Sequence, residues 1–304
     1  MNLPLGPINA ATPTPLMPDG SFDAASAKKL CKRWRDVELD GVFLLGSMGE
    51  GPFLSDEVRN AFVKIALQEV GDKMTVLACA GDTSRARMME RALRYASMGA
   101  HCVVLFVPPG APLPKAIDDV LAVADACPVP CAYYEIPANT GTALVVEDLK
   151  RVLSHDNIHI CKDSSNSALI SQALTSEHHR PDNCKLWHGV EYCTVFSHLA
   201  GYDGILHGGA VMTGLWMREI WRQLDEGNTA AAQELDRQKS LFLAQVYNRF
   251  SRPLQSTVGQ KYALKLLGCM DHETVAIPQS LDDASRKRIE AAVAANRKWL
   301  GRRP

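Results

Sequence analysis

Residues 41–80 read GVFLLGSMGEGPFLSDEVRNAFVKIALQEVGDKMTVLACA, and the order of apolar and polar positions in them decides the fold. Residues 41–45 form a short, unbroken apolar run that ends in a glycine-rich turn. A strand of that kind is buried on both faces, as in a parallel sheet. Across residues 57–70 the apolar positions recur at three-to-four spacing, which predicts a helix, and Ser55 stands where its N-cap belongs. Residues 74–80 return to a continuous apolar run. The segment is one strand–helix–strand unit.

The unit repeats in both directions. Apolar, β-branched runs at residues 8–11, 102–107, 129–134, 158–161, 185–188 and 203–206 begin at intervals of roughly 18 to 35 residues, as βα units do. Helical spacing predicts helices over 24–37, 85–97, 115–124, 146–153 and 167–175, with Asp23 and Ser84 as caps and Gly71 and Gly99 near helix ends. Eight βα units in about 225 residues give an α/β fold, a closed (β/α)8 TIM barrel. An open doubly wound sheet is the weaker alternative, because no strand leads into a dinucleotide fingerprint and two edges would be left. From residue 228 onward no strand-like run occurs, and helices are expected over 229–250, 257–267 and 282–300. The predicted division is a catalytic barrel over 1–226 and a C-terminal three-helix region over 227–304.

The 304 residues are 46% hydrophobic and 22% charged, with a formal net charge of -1. That balance suits a globular core and gives no electrostatic reason to bind nucleic acid or an anionic membrane. Residues 1–10 lack Lys and Arg and do not have the pattern of a signal peptide. No apolar stretch approaches the roughly 20 residues of a membrane span. Nine cysteines are scattered without a CxxC pair. Pro128 and Pro130 between Cys127 and Cys131, with no second pair, argue against a zinc site, so no metal is expected and a cytoplasmic location is.

In such barrels the chemistry sits at the C-terminal ends of the strands. There Ile158-His-Ile-Cys-Lys162-Asp-Ser-Ser places a lysine at the end of an apolar strand. A partly desolvated amine is pushed toward its neutral form, and a neutral amine attacks a ketone to form an imine, an electron sink for carbon–carbon chemistry. Gly46, Ser47, Met48 and Gly49, in the turn of the opening stretch, could converge backbone N–H groups on a carboxylate. They match neither a P-loop nor a Rossmann turn. Tyr133 and Tyr134 end the fifth strand, one strand from Lys162. Alternation lets only one of them face inward, where it could carry a proton. Glu191, His188 and His207 stand at later strand ends, in reach of the distal part of a substrate.

These residues give the chain a resemblance, over essentially its whole length, to the dihydrodipicolinate synthase/N-acetylneuraminate lyase family. Gly46-Ser-Met-Gly-Glu50 resembles the family's pyruvate-carboxylate segment, Tyr134 the tyrosine of its Tyr-x-x-Pro motif, Cys161-Lys-Asp163 the Schiff-base segment, and Gly189 a glycine at the pocket mouth. The resemblance implies a barrel with a C-terminal helical extension, catalysis by Lys162, Tyr134 and Ser47, an imine on Lys162 in place of any cofactor, and a homo-oligomer, a tetramer or a dimer. The chain also departs from the pattern. Met48 stands where a second hydroxyl is common, the loop Val107-Pro-Pro-Gly-Ala-Pro112 lacks the tyrosine that synthases lend to a neighbour, and Asn139 replaces an arginine. Pro137-Ala-Asn-Thr-Gly141 is nearer the 4-hydroxy-2-oxoglutarate aldolase-like branch, and Glu191-Tyr192 only partly matches the Asp-Glu pair of sialic-acid lyases. The expected function is a class I lyase acting on pyruvate or a 2-oxo acid such as a 4-hydroxy-2-oxo acid. Gly46, Met48, Gly49, Asn139, Gly189, Glu191 and His207 would contact the substrate. Dihydrodipicolinate synthesis, 2-keto-3-deoxy sugar acid cleavage or dehydration, and non-catalytic keto-acid binding are the alternatives.

Overall fold

The computed structural model describes residues 5–176, 184–247 and 255–301. Eight parallel strands close on themselves in sequence order: β1 (Ile8–Ala11), β2 (Gly41–Leu44), β3 (Thr75–Cys79), β4 (Cys102–Leu105), β5 (Cys131–Glu135), β6 (Ile158–Asp163), β7 (Lys185–His188) and β8 (Gly204–His207). The TIM barrel is therefore present, with C-terminal helices beyond it. Its strands are almost wholly buried on both faces, which is why their sequences show no polar alternation.

The first helices follow the expected segments closely: α1 (Ala24–Asp36), α2 (Asp56–Val70) and α3 (Arg85–Ser97). Asp23, Ser55 and Ser84 each accept a hydrogen bond from the backbone N–H three residues on, satisfying a donor the helix cannot. Then come α4 (Leu113–Ala126), the single turn α5 (Pro137–Thr140), α6 (Val146–Leu153), α7 (Ala168–Thr175), α8 (Thr194–Leu199) and α9 (Ala210–Asp225). Neither α8 nor α9 is predicted from spacing. Helix α9 packs on β1, α8 and α10 together, and a helix buried on several sides has no clean polar stripe to reveal it.

Four C-terminal helices follow: α10 (Thr229–Tyr247), α11 (Gln255–Leu266), α12 (Asp283–Ala295) and α13 (Arg297–Leu300). The helix expected over 282–300 is broken at Asn296, and the expected end at 248–250 lies outside the described residues. Helix α10 packs against α9, α11 and α12, and α13 returns to α9, where Trp216 and Trp299 stack with ring centroids 5.4 Å apart. No described helix is long and apolar enough to cross a membrane.

Register sets which side chains share the barrel lumen. Lys162 pairs with Tyr134 on one side and Trp187 on the other, and partners in a parallel ladder point to the same face. Phe43 approaches both Lys162 and Tyr134, so Phe43, Tyr134, Lys162 and Trp187 face inward. Tyr133, Glu135, Asp163 and His188, one residue out of phase, face the helices.

Candidate active site

Lys162 is not the residue after β6 but lies within it, because the ladder to β5 and β7 persists to Asp163. Its residue is 5% exposed. The Nζ lies 4.2 Å from the centroid of the Tyr134 ring and 4.9 Å from that of Phe43. Among the described residues it has neither a hydrogen bond nor a carboxylate partner. Gly189, after β7, gives the lysine its room: a Cβ there would stand 2.0 Å from Ser164 Oγ and 3.0 Å from Lys162 Cε. A side chain there would have to displace Ser164 and the lysine's own methylenes.

The glycine-rich turn folds back on itself. Leu45 and Glu50 both take positive φ, 64° and 57°, a conformation that non-glycine residues rarely adopt. A Cβ on Gly51 would lie 1.8 Å from Leu45 O, so only glycine permits the closure. Thr14 Oγ1 donates to Gly49 O at 2.6 Å, fixing the turn to the segment after β1. The backbone N–H groups of Ser47, Met48 and Gly49 donate to no described backbone group, and Ser47 and Met48 border the cavity. Glu50 anchors the turn from below: its carboxylate pairs with the fully buried Lys261 of α11 and accepts from Ala276 N at 2.7 Å. Lys261 also donates to Thr274 O at 2.6 Å.

Beside these groups lies a cavity of about 460 Å³, lined by Gly46, Ser47, Met48, Tyr134 and Asn139 among others. Asn139 Nδ2 donates to Ser47 Oγ at 3.0 Å, so the two exposed polar side chains hold each other at the mouth. Helix α11 closes one side with Thr257, whose hydroxyl lies 3.7 Å from Met48 Sδ. Lys162 is not itself in the lining but stands directly behind it, against the Tyr134 ring, whereas a larger, more open groove of about 790 Å³ beside Leu16 and Pro278 has no tyrosine in its walls. Among the described residues no three His, Cys, Asp or Glu side chains cluster to hold a metal.

Gly46, Ser47, Met48, Tyr134, Lys162, Asn139 and Gly189 are thus gathered at one end of the barrel. Gly49 turns toward Leu45 and Thr12. Three expectations need correction. His207 does not reach the cavity: it pairs with Ala10 on the outer face of β8, is 0% exposed, and neither ring nitrogen has a hydrogen-bond partner among the described residues. Burial, then the charges of Lys239, His188 and Lys162, hold its pKa well below the ordinary value, so it is a neutral imidazole. His188 likewise points outward, with Nδ1 2.8 Å from Ser197 Oγ and its ring stacked on Tyr202. Glu191 lies near Met48, but its carboxylate accepts from Gly209 N and from Tyr247 Oη and is committed there. His178 and His179, expected to be only a polar helix end, lie outside the described residues.

Residue types alone pointed neither to Phe106 as a cavity wall nor to Phe43 as a neighbour of Lys162 and Tyr134, nor to Thr257 or Lys261 as contributions from the C-terminal helices. Lys261 had a signal: it falls in the apolar stripe of its helix with Val258 and Leu264, where a charge demands a buried partner.

Behind the catalytic strands, Glu135 is 1% exposed and accepts from Tyr133 Oη at 2.8 Å and Leu144 N at 3.1 Å. Burial pushes its pKa up to about 7; the Tyr133 and Leu144 bonds oppose this, and the neighbouring Asp163 adds to it. The folded chain therefore holds this proton more tightly than the unfolded chain. The stability this contributes is full below the unfolded value near 4.5 and is lost as pH climbs through 7. Glu135→Gln keeps the shape and removes the titration. It is expected to raise stability above pH 7 by on the order of 3 kcal/mol and to change little at pH 4.5, which thermal melts across that range would read.

Residues 4–296 match the dihydrodipicolinate synthetase family. The 4-hydroxy-tetrahydrodipicolinate synthase of Mycolicibacterium gilvum is 32% identical over 162 residues, 53% of this chain and 54% of that one, so the alignment spans about half the relative's length. The enzyme of the same name from Synechocystis is 28% identical over 235 residues, 76% of this chain and 77% of that one. A dihydrodipicolinate synthase structure from Bacillus anthracis superposes with a TM-score of 0.89 at 21% identity, covering 97% of this chain and 99% of that one. A prophage protein of the dihydrodipicolinic acid synthase family from E. coli K12, in complex with pyruvate, gives a TM-score of 0.85 at 23% identity and covers 96% and 98%. At these identities the superpositions establish the fold.

Proposed function

The chain belongs to the dihydrodipicolinate synthetase family, and we propose that it is a class I, pyruvate-handling lyase that cleaves 4-hydroxy-2-oxo acids through an imine on Lys162. The observation that carries this reading is the Lys162 amine, within the C-terminal end of β6, without a carboxylate partner and between the Tyr134 and Phe43 rings.

In this reading the carboxylate of the 2-oxo acid binds the N–H groups of Ser47, Met48 and Gly49. The amine adds to the C2 carbonyl and water leaves, giving a protonated imine. Tyr134, left as a phenolate after giving its proton to the hydroxyl that departs as water, takes the proton of the C4 hydroxyl; the C3–C4 bond breaks, and its electron pair passes into the imine to form an enamine while the aldehyde departs. Protonation at C3 and hydrolysis by one water release pyruvate and restore the amine. The imine is the electron sink, so the chemistry requires no metal or organic cofactor, and condensation is the same path reversed.

Incubation with pyruvate and borohydride tests the central step. The expected result is one stable adduct, the mass of a reduced pyruvyl group, on the peptide that contains Lys162. An unmodified chain, or an adduct on another lysine, would reject the mechanism and favour a keto-acid-binding role.

A further inference from the structure

The cavity of about 460 Å³ adjoins Lys162 through Tyr134, and its volume is larger than pyruvate needs and suits a larger small molecule. The remaining space belongs to the aldehyde half of the substrate, and its walls specify that half. Phe106 and Pro109, after β4, face Met48, Pro52 and Phe53, from the turn after β2, with Ile136 beside Tyr134. The Phe106 ring lies against Gly81, where a Cβ would stand 2.0 Å from its Cε1, so the ring fills the room that the missing side chain leaves. The polar lining consists of hydroxyls and the Asn139 amide. None of the lining residues is Asp, Glu, Lys, Arg or His.

Among the described residues, Arg59 and Lys261, which bind groups in or next to these walls, are already committed. Arg59 donates to Tyr95 Oη, Gly51 O and Cys79 O. Lys261 is held by Glu50 and Thr274 O. In the mechanism above Lys162 becomes the imine and the backbone donors hold the first carboxylate. A second carboxylate would enter without a counter-charge among the described residues, and a buried unpaired charge is strongly disfavoured. An apolar group, and an aromatic ring above all, would instead pack on Phe106 and Met48.

We propose that the aldehyde this site releases or accepts is uncharged and apolar, with room for an aromatic ring, which makes the substrates 4-aryl- or 4-alkyl-4-hydroxy-2-oxobutanoates. This rests on the Lys162 imine reading. It points away from the diacid that the resemblance to the 4-hydroxy-2-oxoglutarate aldolase-like branch suggests.

The test runs the full chain in the condensation direction with pyruvate and two matched pairs: benzaldehyde against 4-carboxybenzaldehyde, and butanal against succinic semialdehyde. Product is quantified by mass spectrometry, and borohydride trapping with pyruvate alone is run beside it. The neutral member of each pair is expected to show kcat/KM higher by roughly 100-fold or more. In Phe106→Ala the preference for benzaldehyde over butanal is expected to fall about 10-fold. If trapping succeeds but the acidic members match or exceed the neutral ones, the inference is overturned. Trapping without turnover of any of the four aldehydes overturns it as well. Failure of trapping itself removes the Lys162 reading, and this inference with it.

Discussion

Lys162→Met is expected to lower kcat/KM by on the order of 10⁴-fold or more while leaving the melting temperature nearly unchanged. Removing a covalent nucleophile takes away an entire reaction path, not one contact among several, and what remains is binding without an electron sink. The stability half of the expectation comes from the surroundings. Lys162 Nζ has no hydrogen bond or ion pair among the described residues and is flanked by the Tyr134 and Phe43 rings. Deleting it therefore orphans no buried charge, and an unbranched methionine can occupy the same channel between the rings. Steady-state kinetics and a thermal melt on the same preparation decide it. Residual activity near wild type would remove the imine mechanism. A melting temperature lowered by many degrees would show the ammonium to be a structural group and would leave the activity loss uninterpretable by itself, in which case Lys162→Arg, which keeps the charge but cannot form the imine at neutral pH, separates the two.

The barrel and the inward-facing groups were legible in the chain because both depend on local patterns. Doubly buried strands appear as unbroken apolar runs, and period-two alternation separates Tyr133 from Tyr134; the structure turns Tyr134 inward and pairs Tyr133 with Glu135. The same alternation, applied to β8, would have sent His207 outward, had the register of that strand been known. Spacing does not supply it: the strand expected over residues 203–206 is observed as Gly204–His207, which brings His207 into the ladder. A one-residue error at a strand end reverses the face assigned to a side chain. The remaining walls were illegible for a different reason. Thr257 reaches the cavity from α11, far along the chain, and no spacing rule connects that helix to a turn after the second strand.

The long-range connection has a measurable consequence, because the Glu50–Lys261 pair is what couples α11 to the turn. Lys261 is 0% and Glu50 4% exposed. The carboxylate has Lys261 and Ala276 N as its partners, and the ammonium has Glu50 and Thr274 O. Burial pushes the lysine's pKa down and the Glu50 charge opposes this. Lys261→Met leaves a carboxylate buried with a single N–H donor, and breaking a buried pair from one side costs about 3–5 kcal/mol, which for a chain of this size corresponds to roughly 10 °C in melting temperature. The cost extends to the site, since Glu50 closes the turn at positive φ, and pyruvate KM is expected to rise with the loss of the Ser47–Gly49 geometry. Adding Glu50→Gln to Lys261→Met removes the orphaned charge while keeping an acceptor for Ala276 N. The double variant should therefore recover a large part of the stability lost in the single one. If the two losses simply added, the residues would be energetically independent, and the coupling of the C-terminal helices to the carboxylate-binding turn would have to run through packing at Thr257 and Met48 instead.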